Sequence, residues 1–308
     1  MGLVALLLSA CGSGAQKRTP ETTPVATPSS VPTCVKQLSR CGYPDATTAG
    51  VLDRSKLHKV PQDVTAGAGW TWDARGWLEV TTDGAVVENL EVDGTIDVTG
   101  RNVTVRGNVI LAQGQTWAVG LRHTTDATVI GNTIGAAGLT PRLEVGIKDV
   151  YGDAVGTTVT ANDIAGTSTG IQLGSGVIRD NYIHDLGMVE GDHVNGIMSN
   201  GSAQRLVIEH NTVLNQFDQT DAIALFQDFG VEANRLITRN LLAGGGYAIY
   251  GGDGQFGATY NIQIIGNRIS RMYFPLGGSY GPVAYFDNQG TDNLWSGNVW
   301  DEDDSPIS

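Results

Sequence analysis

Lysine is almost absent from this chain. Only five of its 308 residues are lysine, and beyond Lys59 there is one, Lys148. With a formal net charge of −13, the chain lacks the basic footprint that nucleic-acid phosphates require. A strongly anionic polymer would also meet repulsion, unless a bound cation or a local arginine cluster reversed it. Charge of either sign is sparse at 17%, which leaves room for a neutral ligand. Long apolar runs are missing as well: residues 3–8 are apolar but too few to span a bilayer. Cysteine is limited to Cys11, Cys34 and Cys41. Glycine, by contrast, is plentiful at 42 residues, which suits many tight turns between short strands.

What the chain does contain is a repeated stamp of aliphatic residues around an asparagine. Val105-Arg-Gly-Asn-Val-Ile110, Val129-Ile-Gly-Asn-Thr-Ile134 and Ile264-Ile-Gly-Asn-Arg-Ile269 are three copies. Nine copies place Asn89, Asn108, Asn132, Asn162, Asn181, Asn211, Asn240, Asn267 and Asn298 at spacings of 19 to 31 residues. Such a period marks a stacked solenoid, which grows by adding rungs and needs no domain boundary. The asparagine amide can bond the backbone of the next coil at a turn, forming a ladder and tolerating left-handed geometry. None of the nine is expected to touch a ligand. A second element sets a small residue before an aliphatic one, as in Val145-Gly-Ile-Lys148, Thr169-Gly-Ile-Gln172, Asn195-Gly-Ile-Met198 and Asp221-Ala-Ile-Ala224. Each coil therefore carries at least two strands in parallel register, with copies stacked about 4.8 Å apart.

Over residues 76–300 these repeats resemble the right-handed, single-stranded parallel β-helix of the pectate-lyase-like superfamily, an all-β fold. The resemblance implies that residues 34–75, with Trp70 and Trp72, form an N-terminal cap, because an open solenoid end exposes core and strand edges. Residues 301–308, with Asp301-Glu-Asp-Asp304, are expected as a solvated acidic tail. At the other end, Leu8-Ser-Ala-Cys11 resembles a bacterial lipobox. It implies a signal peptide over 1–10, lipidation of Cys11, and export to the outer face of the cell membrane. One departure is that no Lys or Arg lies between Met1 and the apolar run. Residues 11–33, rich in Gly, Ser, Thr and Pro, read as a flexible tether. In an exported chain Cys34 and Cys41, with six residues between them, are an even pair suited to a disulfide. Free thiols or a two-cysteine metal site are the alternatives.

Aligning the second element gives two outward rows. One reads Arg122, Lys148, Gln172, Met198, Ala224, Tyr250, Tyr285, and the other Val119, Val145, Thr169, Asn195, Asp221, Tyr247, Pro282. Loops 184–193 and 270–280 are long beside the polar middle of the second row, and such loops usually wall a binding groove. Glu190-Gly-Asp-His-Val-Asn-Gly196 concentrates two carboxylates, an imidazole and an amide, with Asp221 one rung from Asn195. Asp192, His193 and Asp221 are the candidate catalytic residues. Two carboxylates one or two rungs apart stand about 5–10 Å apart, which spans both glycosidase separations. One would stay protonated to donate to the leaving oxygen, and the other would activate water. His193 could serve as base or orienting partner. The alternative is that Asp192 and Asn195 cap a turn. Asn195, Lys148, Arg122, Tyr247 and Tyr250 are the candidate substrate contacts, the tyrosines by stacking on sugar rings.

Asp228, Asp253 and Asp287 follow the same strand on successive coils, as a cation site suited to calcium or as a solvated turn ladder. A strand's length sets them roughly 20 Å from Asp221. The superfamily's β-eliminating lyases use a Lys or Arg base, which would be Lys148 here. Of the motifs of its hydrolases only Val194-Asn-Gly196 and Gln219-Thr-Asp221 fall at similar places, and Gly-His-Gly is missing. The pectate-lyase Trp-x-Asp-His stretch is reduced to Gly191-Asp-His193. The expectation is a surface-anchored, carbohydrate-active protein hydrolysing a polysaccharide with no required cofactor. A non-catalytic glycan- or wall-binding lipoprotein and a uronate lyase are the alternatives. Expected partners are a polysaccharide or cell-wall glycan and, through the acyl chains, a membrane; the chain is expected as a monomer.

Overall fold

The computed structural model describes residues 33–308, so the expected signal segment, Cys11 and nearly all of the tether lie outside the described residues. The described chain winds into a parallel β-helix whose three sheets hold 10, 11 and 9 strands. Successive coils pair strand on strand, and three aliphatic columns fill the interior. Ile134, Ile164, Ile183, Val213, Leu242 and Ile269 stack in the first sheet, and Ile147, Ile171, Ile197, Ile223 and Ile249 in the second. Val105, Val129, Val159, Ile178, Ile208, Ile237 and Ile264 stack in the third. All are buried, and each contributes about 1.5–3 kcal/mol of apolar transfer relative to exposure.

The asparagine stamp is two strands and not one. Thr128–Ile130 belongs to the third sheet, Thr133–Gly135 to the first, and Asn132 sits in the turn between them. Left-handed backbone falls on the residue before each of the eight asparagines from Asn108 to Asn298 (φ 63° at Gly131, 54° at Ala161, 54° at His210), so these asparagines do not supply that geometry themselves. Its task is hydrogen bonding. Asn132 Nδ2 donates to Asn162 Oδ1 at 2.9 Å and to the Val105 carbonyl at 3.0 Å, and its backbone N–H donates to Asn162 Oδ1 at 3.0 Å. The pattern recurs from Asn108 to Asn298, all buried.

Asn89 is not part of this ladder. Glu88 pairs with Arg106 and Glu91 with Val109, so Asn89 takes the place of Gly107 and Leu90 that of Asn108. It is exposed, with φ 58°.

Both ends differ from expectation. Only residues 58–80 cover the first coil: His58–Val60 pairs with Leu90–Val92, and Trp70–Trp72 makes antiparallel pairs with Ala66–Gly67 and Trp77–Val80. Residues 34–57 are a strap along the side of the solenoid. At the last coil the N–H groups of Cys34 and Val35 donate to the Asp301 carboxylate at 3.2 and 2.9 Å. Farther along, Thr212 Oγ1 donates to the Pro44 carbonyl at 2.8 Å. Gly50 N–H then reaches the Ala161 carbonyl at 2.8 Å, and Val51 N–H reaches Thr133 Oγ1 at 2.9 Å. The Cys34–Cys41 disulfide, with a Cα–Cα distance of 5.6 Å, closes the loop that begins this strap. Residues 301–308 are not a solvated tail either: Asp301 and Ile307 are buried, and Ile307 N–H donates to the Asn298 carbonyl at 2.9 Å. A short segment that buries an apolar residue and pairs with the last rung closes an otherwise exposed end.

Candidate functional site

A groove of about 550 Å³ opens over the middle coils of the second sheet. Strands Leu143–Asp149, Thr167–Gln172 and Asn195–Ser199 lay its floor, with Val145, Thr169 and Asn195 on consecutive rungs. The loop between Tyr182–Ile183 and Asn195–Ser199 brings Gly191, Asp192 and His193 to one wall, as its length suggested. Loop 270–280 supplies no lining residue to this groove. Phe226 and Asp228, just after Asp221–Leu225, stand on the far side.

Asp192 is held ionised. Arg142, itself buried, grips the carboxylate from two nitrogens, Nε at 2.6 Å and Nη2 on the other oxygen. The Val189 N–H adds a bond at 2.9 Å. Burial opposes ionisation, but the Arg142 guanidinium, then the Val189 N–H and last the Ser168 hydroxyl outweigh it and pull the group below the ordinary carboxylate range. His193 is exposed at the groove's mouth, and its carbonyl accepts Asn195 Nδ2 at 3.2 Å. The turn-holding alternative is therefore present beside the chemical one. Arg142 and Glu144, both in the lining, were not singled out from the sequence; the only cue was their place just before the Val145 row.

Asp221 behaves in the opposite way. It pairs in register with Asn195, as the rows indicated, but only 2% of it is exposed and it lies under the groove lining rather than in it. Burial pushes its carboxyl up to about 8, against a weak opposing pull from the Tyr247 N–H. Its Oδ1 has no hydrogen-bond partner, and neither has the Oδ1 of Asn195, 1% exposed, on the adjacent rung. A proton kept on Asp221 spares the fold a buried charge with an unpartnered oxygen.

Other expected contacts fall elsewhere. The first and last copies of the second element are misaligned by sequence. Val119 pairs with Ile147 and Gly120 with Lys148, so Arg122 is two residues beyond the Lys148 row; Tyr250 pairs with Ala284, not Tyr285, and Tyr247 with Gly281, not Pro282. Arg122 is occupied by Asp97 at 2.7 Å and wedged among the Trp77, Trp117 and Tyr151 rings. Lys148 Nζ lies 5.3 Å from the centre of the Trp117 ring, and neither cation lines the groove. Tyr247 leans on Tyr280 at 5.8 Å. Tyr250 stacks on Tyr285 at 4.4 Å and meets Phe226 edge-on at 4.9 Å, so it backs the groove wall without lining it. Its hydroxyl is pushed up to about 12, first by burial and then by the neighbouring Tyr285, with Asp221, Asp253 and Asp228 adding less.

The expected carboxylate ladder does not assemble. Among the described residues no group of three or more His, Cys, Asp or Glu is placed to hold a metal ion. Leu225 pairs with Gly251, so Gln227 and not Asp228 occupies the level of Asp253. Gln227 Nε2 fills that place by donating to the Gly252 and Gly257 carbonyls at 2.8 and 3.0 Å. Asp228 instead joins the groove lining. Asp287 accepts the Gln289 N–H at 2.9 Å, an ordinary turn contact.

A parallel β-helix with one polar groove across the second sheet is thus the class of protein that fold and site define. No model of a known protein family matches the chain, and no curated protein matches it. Among solved structures, the catalytic unit of a thermostable GH87 α-1,3-glucanase from Streptomyces thermodiastaticus strain HF3-3 is similar. Its TM-score is 0.39 at 13% identity, over 73% of this chain and 50% of that one. The chain thus spans half the length of that structure, and no residue role is carried across from it.

Proposed function

We propose that the protein binds a polysaccharide along this groove and hydrolyses it. The observation that carries the reading is that two carboxyl groups, one under and one beside the same groove, are driven to opposite protonation states. Burial keeps Asp221 neutral at pH 7, and Arg142 keeps Asp192 ionised. Glycoside hydrolysis needs that division, one acid to protonate the leaving oxygen and one base to take a proton from water. Asp221 is assigned the first role and Asp192 the second, with His193 and Asn195 orienting substrate. A second reading, glycan binding without cleavage, is favoured by one specific feature: Asp221 lies beneath the lining, and Arg142 occupies both Asp192 oxygens.

Incubation of the full chain with neutral and acidic polysaccharides separates the readings. Release of reducing ends without unsaturated-uronate absorbance supports hydrolysis, and retention without product supports binding alone. Asp221→Asn and Asp192→Asn should each remove turnover while leaving the fold intact; full activity in both would sink the assignment. The lipobox-like residues 8–11 support attachment to the outer face of a membrane through Cys11. Palmitate labelling that persists in Cys11→Ala would refute it.

A further inference from the structure

A second hollow of about 450 Å³ continues from the groove across the same sheet, and Gln172 and Asn200 line both. Two aromatic side chains stand in its lining, Tyr151 at 59% exposure and Phe229 at 80%. Leaving such rings in water costs apolar surface, and each is carried on a turn whose backbone is hydrogen-bonded. The Asp149 carboxylate accepts the N–H groups of Gly152, Asp153 and Ala154 at 2.9, 3.2 and 3.2 Å, which sets the Tyr151 turn. The Tyr151 ring stacks on His123 at 4.5 Å, and its hydroxyl accepts Arg122 at 3.1 Å. The Phe229 N–H donates to the Asn200 carbonyl at 3.0 Å. Beside it Gly201 (φ 98°) packs so closely on Gly230 that a Cβ would stand 2.4 Å from the Gly230 carbonyl oxygen.

Lys148, Gln172, Met198 and Ala224 lie on consecutive rungs, so the coils carrying Tyr151 and Phe229 are three rungs apart. That is about 14 Å along the axis. Between them the floor is uncharged. Asn200 and Gln172, both amides, are in its lining. Asp149, the one charged residue in the lining, is engaged by its own turn. An occupant therefore needs hydrogen-bonding groups for a floor with two amide side chains, apolar faces for the two rings, and no charge.

We propose that this hollow is a subsite for linked neutral pyranose residues, belonging to the same glycan chain that lies in the groove. The inference rests on the carbohydrate reading of the groove and adds to it a position and a substrate class. The Tyr151 ring, already held by His123 and Arg122, needs no further ordering to stack on a sugar face, and Phe229 offers a second apolar face three rungs away.

The test is binding of the full chain to an array of neutral and uronate-containing oligosaccharides graded by length. Wild type is expected to bind a neutral series more tightly as length increases. Tyr151→Ala and Phe229→Ala should each weaken the long members by about three- to tenfold and spare the short ones, with Phe229→Trp restoring binding. Melting temperatures equal to wild type show that the variants are folded. If wild type binds and both alanine variants bind equally well at every length, the subsite is wrong while the groove reading stands. Binding confined to uronate-containing members overturns the neutral class. If no oligosaccharide binds wild type, the carbohydrate reading fails and takes the subsite with it.

Discussion

Asn181 and Asn89 carry the same stamp in sequence but hold different positions, so replacing each by alanine tests the ladder directly. Asn181 Nδ2 donates to the Val159 carbonyl at 3.1 Å, the Arg179 carbonyl at 2.9 Å and Asn211 Oδ1 at 2.9 Å. Its Oδ1 accepts the Asn162 backbone N–H at 3.0 Å and Asn162 Nδ2 at 2.9 Å. Asn181→Ala therefore removes five hydrogen bonds of buried groups and strands the Asn162 backbone N–H, while Asn162 Nδ2 keeps the Val129 and Thr160 carbonyls. Each lost bond is worth about 0.5–1.5 kcal/mol and the orphaned N–H about 1–3 kcal/mol, and partial relaxation holds the total to about 3–6 kcal/mol. For a domain of this size that is a fall of roughly 6–20 °C in melting temperature. Asn89→Ala removes no ladder contact and leaves only the strain of alanine in left-handed backbone, about 1 kcal/mol. Thermal unfolding of the two variants beside wild type gives the ranking. Hydrogen exchange adds the location, because the Asn162 amide loses its acceptor only in Asn181→Ala. Equal losses in the two variants, or a cost under about 1 kcal/mol for Asn181→Ala, would refute the reasoning.

Two further predictions concern carboxylates. Asp221 gives up its proton near pH 4 when unfolded but at about 8 in the fold, so the folded state alone binds that proton between those values. The stability it contributes is full below pH 4 and is lost as pH rises through 8. Asp221→Asn should therefore be more stable than wild type near pH 8, on the order of a few kcal/mol, with the gap closing toward pH 4. Urea midpoints at pH 4.5, 6 and 8 measure it, and a gap independent of pH would contradict it. At the far end of the solenoid, Asp301→Ala should release residues 34–51 by removing two charge-assisted bonds of about 1.5–3 kcal/mol each. Limited proteolysis should then cut ahead of His58 under conditions that leave wild type intact; equal resistance would show that the strap is held elsewhere.

The coil stacking was legible because every rung must solve the same problem. One aliphatic residue per strand faces the core and one asparagine closes the turn, so the solution recurs in the letters. The strap was not legible. Residues 34–57 touch Asp301, Thr212, Ala161 and Thr133, partners spread over several coils, and no local pattern encodes contacts at that range. Asn89 deceived for a related reason: asparagine suits both the ladder site and the left-handed site one residue earlier, and only strand pairing tells them apart.

The site divides along the same line. Where copies of the second element are regular, from Val145 to Tyr247, the rungs lie as the sequence placed them, and Asp221 pairs with Asn195. At the two ends a slip of one or two residues sent Arg122 and Tyr285 to the wrong rows. The protonation of the site could not be read from spacing at all. It depends on Arg142, which reaches Asp192 across 50 residues of sequence, and on the burial of Asp221 beneath its neighbours. That burial also gives a way to tell function from scaffold. The fold keeps that aspartate neutral at a pH where the unfolded chain ionises it, so replacing it by asparagine should stabilise the fold near pH 8 in either case. If Asp221 is the acid, the same substitution gains stability and loses turnover together. If it is scaffold, stability rises and nothing else changes.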